Sequence, residues 1–552
     1  MSGELEHGAG RVRGLPRVIE MIGATIVLFA MVITFQHLAG AYEAEFSGDD
    51  ASHYISGLMI RDYVRSWPWG SPVAYLSNFH SHYPLVGIGH WPPLYYFIEA
   101  AWMLLFSPGR ASILVLSASV TVAAAAILYA TLAPRFGRSV AAFAALAFAV
   151  TPLVQSGTSE LMLDVPVSLF CLLAMLSYAR YLEAGSMGAA VLFALLASAA
   201  LMIKGTAGCL ALLPPLAVLI GRRFDLLRRT SFWVPVPIVG ALSAPWYILT
   251  YGLTAQGFRY AWGLGFTSVA AVENSLTLWR TLGPAVSMVA AIGLLSVVAQ
   301  RERRPSSVLV SAGALFAAVW IFQSIVPAAI QDRYLAPAVP PALVLAAAGL
   351  RFLCQTLGGL TPQPVSVGRL QAAAVVLLAL LFLPHALEIE KKRQYGLIAA
   401  AGEVWSQRIG ANPSVLIASD VVGEGATIAE LAMRDPNPPS LFAVRGSRLL
   451  GGGGYNASEY VPLFETAEQV MAQIDQFAIP LVLYRSTGKA GEWAHLQQIE
   501  EARMLYPDRW QLVYHLENPA GNILLFRIRG NDARTADSPK LAGLSAPRSL
   551  ER

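Results

Sequence analysis

Residues 18–39 read VIEMIGATIVLFAMVITFQHLA and follow three arginines, Arg11, Arg13 and Arg17. A bilayer core about 30 Å thick is crossed by a helix of about 20 apolar residues, so this run predicts a membrane-spanning helix. No small-residue cleavage site follows it cleanly, which favours a retained span over a secretory signal. Because basic residues flank spans on the cytoplasmic side, residues 1–17 are predicted to be cytoplasmic.

Similar apolar runs recur along the chain. Of its 552 residues, 55% are hydrophobic and only 13% are charged, and the mean hydropathy is +0.52. Soluble proteins carry about 25% charged residues, so the composition excludes an ordinary soluble enzyme and favours a polytopic membrane protein. The net charge of +4 gives no reason to expect nucleic-acid binding. About eleven spans are predicted, at residues 18–39, 111–133, 139–157, 160–182, 187–203, 206–221, 231–251, 278–299, 308–327, 334–353 and 369–387.

Basic clusters between these runs orient them in the membrane. Those at residues 135–138, 222–229 and 301–304 fall on the same side as the N-terminus, as the positive-inside rule requires. Residues 40–110 then form the first external loop of a transmembrane domain over residues 18–387. We therefore predict a multi-pass protein of a bacterial-type inner membrane.

The composition changes after the last apolar run. Residues 388–530 have ordinary polar content, and they follow an odd number of spans, which places them outside. They are predicted to form a small extracytoplasmic α/β domain, and residues 531–552 a disordered tail. Within this domain we predict one helix and four strands, the helix at 466–477 and the strands at 415–419, 480–484, 510–516 and 522–528.

The apolar stretch 93–106 is too short to span comfortably. It is predicted to be an interfacial helix of the first external loop, with Trp91, Tyr95, Tyr96 and Trp102 at headgroup depth. A true span here would invert every later segment, and the basic clusters argue against that.

Two adjacent acids, Asp49 and Asp50, precede a predicted helix over residues 50–65, just outside the first span. Carboxylates suit a helix N-terminus, so capping is one interpretation. The pair would also suit a general base, and Tyr54 lies one turn further on the same face. The residues alone do not decide which aspartate would be the base.

Glu160 and Asp164 lie at the outer end of a predicted span. Four residues apart on a helix, they would share a face and repel unless a cation or a proton compensates. Capping of a helix before Pro166 is the alternative interpretation.

Two cations, Lys204 and Arg333, end different predicted spans on the outer side. Lys204 could extend towards the membrane surface, and Arg333 could pair with its neighbour Asp332. Two cations facing the same side would also suit a phosphate, whose departure as a leaving group requires charge neutralisation.

The first external loop is also rich in histidine, with His53, His80, His82 and His90. The His80-Ser-His82 pair could bind a divalent metal, but no spacing is diagnostic, so no metal or other cofactor is predicted. The three cysteines form neither a disulfide framework nor a metal pattern.

At these residues the chain resembles the GT-C superfamily of membrane glycosyltransferases. It looks closest to the branch that contains the protein O-mannosyltransferases and the aminoarabinose transferase of lipid A. The resemblance runs over residues 18–353 and rests on five segments: Phe46-Ser-Gly-Asp-Asp-Ala-Ser-His-Tyr54, His90-Trp-Pro-Pro-Leu-Tyr-Tyr96, Leu163-Asp-Val-Pro166, Lys204-Gly205 and Arg333-Tyr-Leu-Ala-Pro337.

The resemblance implies an inverting transfer of a sugar from a polyprenyl-phosphate donor to a hydroxyl of a lipid, glycan or protein. It implies that Asp49 or Asp50 is the base, that Lys204 and Arg333 hold the phosphate, and that Tyr334 hydrogen-bonds to it. Substrate contacts are expected from Tyr54, His90, Tyr95, Tyr96, Glu160 and Asp164.

Other functions remain compatible with the sequence. A transporter or flippase would use the intramembrane charges as a path, but it should show internal repeats and broken helices, and no repeat is visible. A scaffold acting through residues 388–530 and a glycan-ligase-like assembly protein of cell-envelope polysaccharide are further alternatives.

Overall fold

The computed structural model describes residues 7–258, 260–299, 306–360, 366–409, 413–435, 439–452, 460–488, 492–531 and 541, with side chains from residue 21. Its contacts divide the chain into two compact units. The first unit contains Met1–Ala39, Gly89–Tyr95 and Leu114–Glu390, and the second contains Gly40–Ile88, Tyr96–Ile113 and Lys391–Arg552.

Most of the described chain is helical, as the apolar runs predict. The α-helices are α1 (His7–Ala39), α2 (Asp49–Arg65), α3 (Pro72–His82), α4 (Leu94–Leu105), α5 (Arg110–Phe136), α6 (Arg138–Val150), α7 (Pro152–Thr158), α8 (Asp164–Ala184), α9 (Met187–Leu201), α10 (Leu213–Gly221), α11 (Thr230–Trp233), α12 (Pro235–Leu249), α13 (Tyr251–Thr254), α14 (Leu264–Ala299), α15 (Ser307–Ile325), α16 (Val339–Leu360), α17 (Val367–Ala386), α18 (Leu397–Ser406), α19 (Val421–Arg434), α20 (Gly446–Leu449), α21 (Ala467–Gln476) and α22 (Ala494–Leu505).

Short 3-10 helices and seven strands make up the rest of the secondary structure in the described residues. The 3-10 helices are Gly205–Ala211, Phe224–Arg228, Ala255–Gly257, Asp332–Ala338 and Pro507–Arg509. The strands are β1 (Ser414–Ala418), β2 (Phe442–Arg445), β3 (Gly451–Gly452), β4 (Val461–Pro462), β5 (Leu481–Ser486), β6 (Trp510–Leu516) and β7 (Asn522–Ile528).

The described part of the chain contains eight helical segments long and apolar enough to cross a membrane. A ninth arises if α6 and α7, which are bent by 56°, form one broken span. A multi-pass membrane protein is thereby confirmed. Every predicted run lies largely on helix, but α9 has only 15 residues, about 22 Å of helix, and falls short of the bilayer core. The number of eleven spans therefore stays a prediction.

Helix α14 is kinked where it packs against α17, the last candidate span. Gly283 has φ 70° and ψ 158°, and Pro284 follows it. A Cβ at Gly283 would lie 2.6 Å from Cδ2 of His385 on α17, so only glycine fits both the backbone and the space. The N-terminal half of α14 therefore ends just after Arg280 and Thr281.

The C-terminal part of the second unit is an α/β domain, as predicted. Its sheet has the order β2-β1-β5-β7-β6, in which β2, β1 and β5 are parallel and β5, β7 and β6 antiparallel. The four predicted strands correspond to β1, β5, β6 and β7, and the predicted helix to α21, which opens with a capping box between Thr466 and Gln469.

The first loop and the C-terminal domain belong to the same unit. The Glu45 carboxylate accepts hydrogen bonds from the backbone N–H groups of Tyr395 (2.9 Å), Leu397 (2.6 Å) and Ile398 (3.2 Å) at the start of α18. The sequence-based boundaries place residues 40–110 within the domain 18–387, whereas the structure groups most of that loop with residues 391–531. A hydrogen bond between residues 350 positions apart leaves no local sequence signal.

Two predicted terminal segments fall largely outside the described residues. The predicted tail at 531–552 is described only at Asn531 and Leu541, and the predicted N-terminal segment only from residue 7, where α1 begins.

Candidate active site

The two candidate base residues open α2, as predicted. The helix begins at Asp49 after Gly48, and Asp50 is buried whereas Asp49 is partly exposed. Both carboxylates lie in the first turn, where the unpaired N–H groups of the helix favour negative charge.

Three tyrosines that are predicted to contact the substrate are buried inside the protein. Tyr54 is fully buried, and its hydroxyl donates to the carbonyl oxygen of Pro108 at 2.9 Å. Tyr96 is also fully buried, with its hydroxyl 2.9 Å from Nδ1 of His53, and Tyr95 is 1% exposed. Both rings face the interior of the protein, and other side chains of α4 are exposed. The predicted position of Tyr95 and Tyr96 at headgroup depth stays a prediction.

His90 and His82, one of the two histidines in His80-Ser-His82, differ in their surroundings. His90 is partly exposed, and burial lowers its pKa, which keeps the imidazole neutral near pH 7. The ring of His82 stacks on Phe442 with 3.9 Å between centroids, and burial lowers its pKa as well. Among the residues described, no three His, Cys, Asp or Glu side chains are grouped so that they could hold a metal ion.

The first cation, Lys204, forms a buried ion pair. Lys204 lies between α9 and the 3-10 helix Gly205–Ala211, and its Nζ donates to Oδ1 of Asp164 at 2.7 Å. The two residues are 7% and 2% exposed. Nζ also lies 4.7 Å from the centre of the Tyr334 ring, a cation–π distance. Of the two compensations that the sequence left open, a cation or a proton, the structure places a cation beside Asp164.

Glu160 does not share a helix face with Asp164. α7 ends at Thr158 and α8 begins at Asp164, so Glu160 lies in the turn between them. The shared-face prediction is wrong because the chain leaves the helix at this point. Both residues still line the same cavity of the first unit.

The second cation, Arg333, begins the segment that leads into α16. Its Nε donates to Oε1 of Gln331 at 2.7 Å, and its guanidinium carbon lies 5.7 Å from the centre of the Tyr334 ring. The Tyr334 ring is thus approached by both predicted phosphate ligands. The neighbouring Asp332 accepts a hydrogen bond from the hydroxyl of Thr277 on α14 at 2.9 Å.

A cavity of about 590 Å³ lies in the first unit beside this cluster. Its lining combines two arginines and several carboxylates with small and apolar residues. Its lining consists of Pro152, Leu153, Ser156, Gly157, Glu160, Met162, Asp164, Arg280, Thr281, Gln331, Asp332, Arg333, Glu388 and Glu390.

Sequence reasoning missed Arg280. This residue is exposed at the cavity, and among the described residues its guanidinium has no ion-pair or hydrogen-bond partner. It lies inside the predicted span 278–299, and a charge in an apolar run marks a functional position by default. That signal alone could have identified it.

The predicted site residues are divided between the two units. Lys204, Arg333, Tyr334 and Asp164 meet within the first unit, whereas Asp49 and Asp50 belong to the second. Convergence of the acids with the cations stays a prediction.

The sequence was compared with protein families and with curated proteins. Residues 90–249 match the family described as dolichyl-phosphate-mannose-protein mannosyltransferase. No curated protein matches the sequence.

Solved structures similar to this chain cover nearly all of it. ArnT from Cupriavidus metallidurans, bound to undecaprenyl phosphate, has a TM-score of 0.57 and 14% sequence identity, covering 95% of this chain and 99% of ArnT. AglB, the archaeal oligosaccharyltransferase from Archaeoglobus fulgidus, in complex with an inhibitory peptide and a dolichol-phosphate, has a TM-score of 0.52 and 13% identity. The AglB match covers 92% of this chain and 74% of AglB. The chain thus has the fold of the GT-C membrane glycosyltransferases, and its residues 90–249 carry the sequence pattern of the dolichyl-phosphate-mannose-protein mannosyltransferase family.

Proposed function

We propose that this chain is an inverting glycosyltransferase of the extracytoplasmic membrane face. It takes a sugar from a polyprenyl-phosphate donor and transfers it to a hydroxyl of a lipid, glycan or protein. In this orientation the N-terminus is cytoplasmic and the second unit lies outside, in a bacterial-type inner membrane.

The observation that carries the proposal is the cationic cluster beside the cavity. Lys204 and Arg333 both approach the Tyr334 ring, and Arg333 and Arg280 line the cavity. Arginine binds phosphate oxygens through two parallel N–H donors, and lysine acts as a compact charge. Such a set would hold the donor phosphate and stabilise the charge that develops as it leaves.

The pairing of Lys204 with Asp164 fits this role. A lone ammonium in a buried site would be costly, and the Asp164 carboxylate offsets that cost. A phosphate arriving at the cluster would then meet a prepositioned donor rather than one that must be desolvated on binding.

The proposed reaction is a single displacement. Asp49 or Asp50 accepts the proton of the acceptor hydroxyl, and the acceptor oxygen attacks the anomeric carbon of the donor. The bond from that carbon to the phosphate oxygen breaks, its electron pair stays on the phosphate, and the cations stabilise the product. Attack from the side opposite the leaving phosphate inverts the anomeric configuration.

The similar proteins support the donor class. ArnT carries undecaprenyl phosphate and AglB a dolichol-phosphate, and the matching family is named for dolichyl-phosphate-mannose. All three names contain a long isoprenoid phosphate, whereas they share neither a named sugar nor a named acceptor. The donor carrier is therefore the feature we transfer to this chain, and the sugar is left open.

The test is the lipid that accumulates when the protein is removed. Deletion should raise the level of one polyprenyl-phosphate sugar, measured by mass spectrometry of membrane lipids, and should remove one sugar from an envelope glycan, lipid or protein. Wild-type protein should restore the normal donor level and the missing sugar, and so should the exposed control Arg228→Ala. Lys204→Ala should restore neither. An unchanged lipid profile after deletion would contradict the proposal.

A further inference from the structure

A turn between α2 and α3 presents large apolar side chains to the outside. It consists of residues 66–73, Ser-Trp-Pro-Trp-Gly-Ser-Pro-Val. Trp67 is 72% exposed, Trp69 54% and Val73 76%, and Val64 in the last turn of α2 is 39% exposed. Exposed apolar residues scattered singly are ordinary, but a contiguous group of this kind marks a surface that contacts something else.

Three polar side chains at the turn donate hydrogen bonds within it. The indole N–H of Trp69 donates to the carbonyl oxygen of Val64 at 3.1 Å, and the Tyr63 hydroxyl donates to the carbonyl oxygen of Gly70 at 2.9 Å. The Ser66 hydroxyl donates to the carbonyl oxygen of Tyr63 at 2.7 Å. These three groups can therefore leave water for the membrane interface without losing their hydrogen bonds.

Its aromatic rings also hold one another in place. The Trp67 and Trp69 rings meet edge to face with 4.8 Å between centroids, and Trp69 stacks on Tyr63 at 6.4 Å. The exposed side chains are therefore fixed on a stiff turn, which lowers the conformational entropy lost on contact with a partner.

The composition and connectivity of the turn favour lipid as that partner. Arg65 is the one charged residue in the stretch 63–79, and tryptophan with a flanking arginine is typical of the membrane interface. The loop that contains the turn is joined at both ends to candidate spans, Met21–Ala39 and Arg110–Phe136. Its residues are therefore tethered near a bilayer surface.

We propose that Trp67, Trp69 and Val73 insert into the interfacial region of the bilayer and anchor the end of α2. The same helix carries Asp49 and Asp50 in its first turn, and its 17 residues extend for about 25 Å. An anchor at one end of a rigid helix fixes the depth of the acids at the other. This inference requires only a membrane and does not depend on the glycosyl-transfer reaction.

Fluorescence quenching in lipid nanodiscs tests the anchor in the full-length protein. Val73→Cys would be labelled with an environment-sensitive fluorophore, because the native cysteines Cys171, Cys209 and Cys354 are buried. Leu512→Cys on β6, 51% exposed and also apolar, is the matched control. We expect lipid carrying an acyl-chain spin label to remove about half or more of the fluorescence at position 73 and little at position 512. Aqueous iodide should give the reverse order.

A second variant tests whether the lipid quenching at position 73 depends on the two tryptophans. Adding Trp67→Ser and Trp69→Ser to Val73→Cys should reduce the lipid quenching, because the turn then loses most of its apolar surface. Quenching of position 73 by iodide but not by lipid would overturn the proposal and leave the turn to a carbohydrate or a protein partner. Equal lipid quenching of positions 73 and 512, or no effect of the tryptophan substitutions, would also overturn it.

Discussion

Asp164 and Lys204, 40 residues apart in sequence, form an ion pair of 2.7 Å in which both side chains are nearly inaccessible to solvent. Asp164 begins α8 and Lys204 follows α9, so the pair fixes the ends of two neighbouring helices at one point. The site therefore has a defined charge before any ligand binds.

Removing one partner of this pair should destabilise the protein. Asp164→Asn leaves a buried ammonium without its counter-charge, and breaking a buried pair in this way costs about 3–5 kcal/mol. The double variant Asp164→Leu/Lys204→Met removes both charges, so its melting temperature in detergent should exceed that of Asp164→Asn. A double variant no more stable than the single one would show that the charges are not coupled.

Arg280 should affect donor binding without affecting folding. It is exposed at the cavity, so Arg280→Ala should leave the melting temperature unchanged. The KM for the polyprenyl-phosphate donor should rise about tenfold or more, since a hydrogen bond to a charged group contributes about 1.5–3 kcal/mol. Arg228→Ala, which also removes an exposed arginine, is the control. An unchanged KM would remove Arg280 from the phosphate site.

Glu99 should make stability depend on pH. The residue is fully buried on α4, neither carboxyl oxygen has a hydrogen-bond partner among the described residues, and burial raises its pKa well above the usual value. The folded protein therefore retains a proton that the unfolded chain loses above about pH 4.3. Stability should fall by about 1.4 kcal/mol per pH unit from there towards the folded pKa.

The comparison with Glu99→Gln isolates this group. Glutamine cannot ionise, so the variant should gain stability over the wild type as the pH rises from about 5 to 8, measured by thermal unfolding. Glu43→Gln, an exposed acid of the same loop, should show no such trend. A difference between Glu99→Gln and wild type that stays constant with pH would contradict the protonated state.

The two parts of the second unit should be labelled from the same side of the membrane. Residues 40–88 and 391–531 form one compact unit, so an even number of crossings must separate them. Eight spans would put seven crossings between them and are excluded, whereas nine or eleven spans are allowed. An impermeant maleimide should label Ser77→Cys and Asp508→Cys in intact cells, and Arg228→Cys only after permeabilisation. Labelling of Ser77→Cys and Asp508→Cys from opposite sides would contradict the shared unit.

Local patterns account for what could be predicted from the sequence. Runs of apolar residues identify the spans, and two strand-like runs joined by a short turn-forming stretch identify β6 and β7, because these signals lie within neighbouring residues. The short parallel strand β2 was missed, since four residues buried on both faces carry no alternation. The inward orientation of Tyr95 and Tyr96 also depends on neighbours elsewhere in the chain.

In the candidate site, too, only features with a local sequence signal could be predicted. Lys204, Asp164 and Arg333 could be identified because charges beside apolar runs need a reason. The turn that separates Glu160 from Asp164 could not, since Glu160 and Asp164 have helical spacing in the sequence. The attachment of Glu45 to the start of α18 joins positions about 350 residues apart, which no local pattern can show.

The central claim is that an aspartate of α2 activates the acceptor of a polyprenyl-phosphate sugar. Purified protein in nanodiscs would be given membrane lipids from the deletion strain and envelope material that lacks the sugar, and the release of free polyprenyl phosphate would be measured by mass spectrometry. We expect Asp49→Asn or Asp50→Asn to slow the release about a hundredfold or more, the contribution of a general base, with Glu43→Gln unaffected. Wild-type release rates in both single variants and in the double variant would contradict the claim.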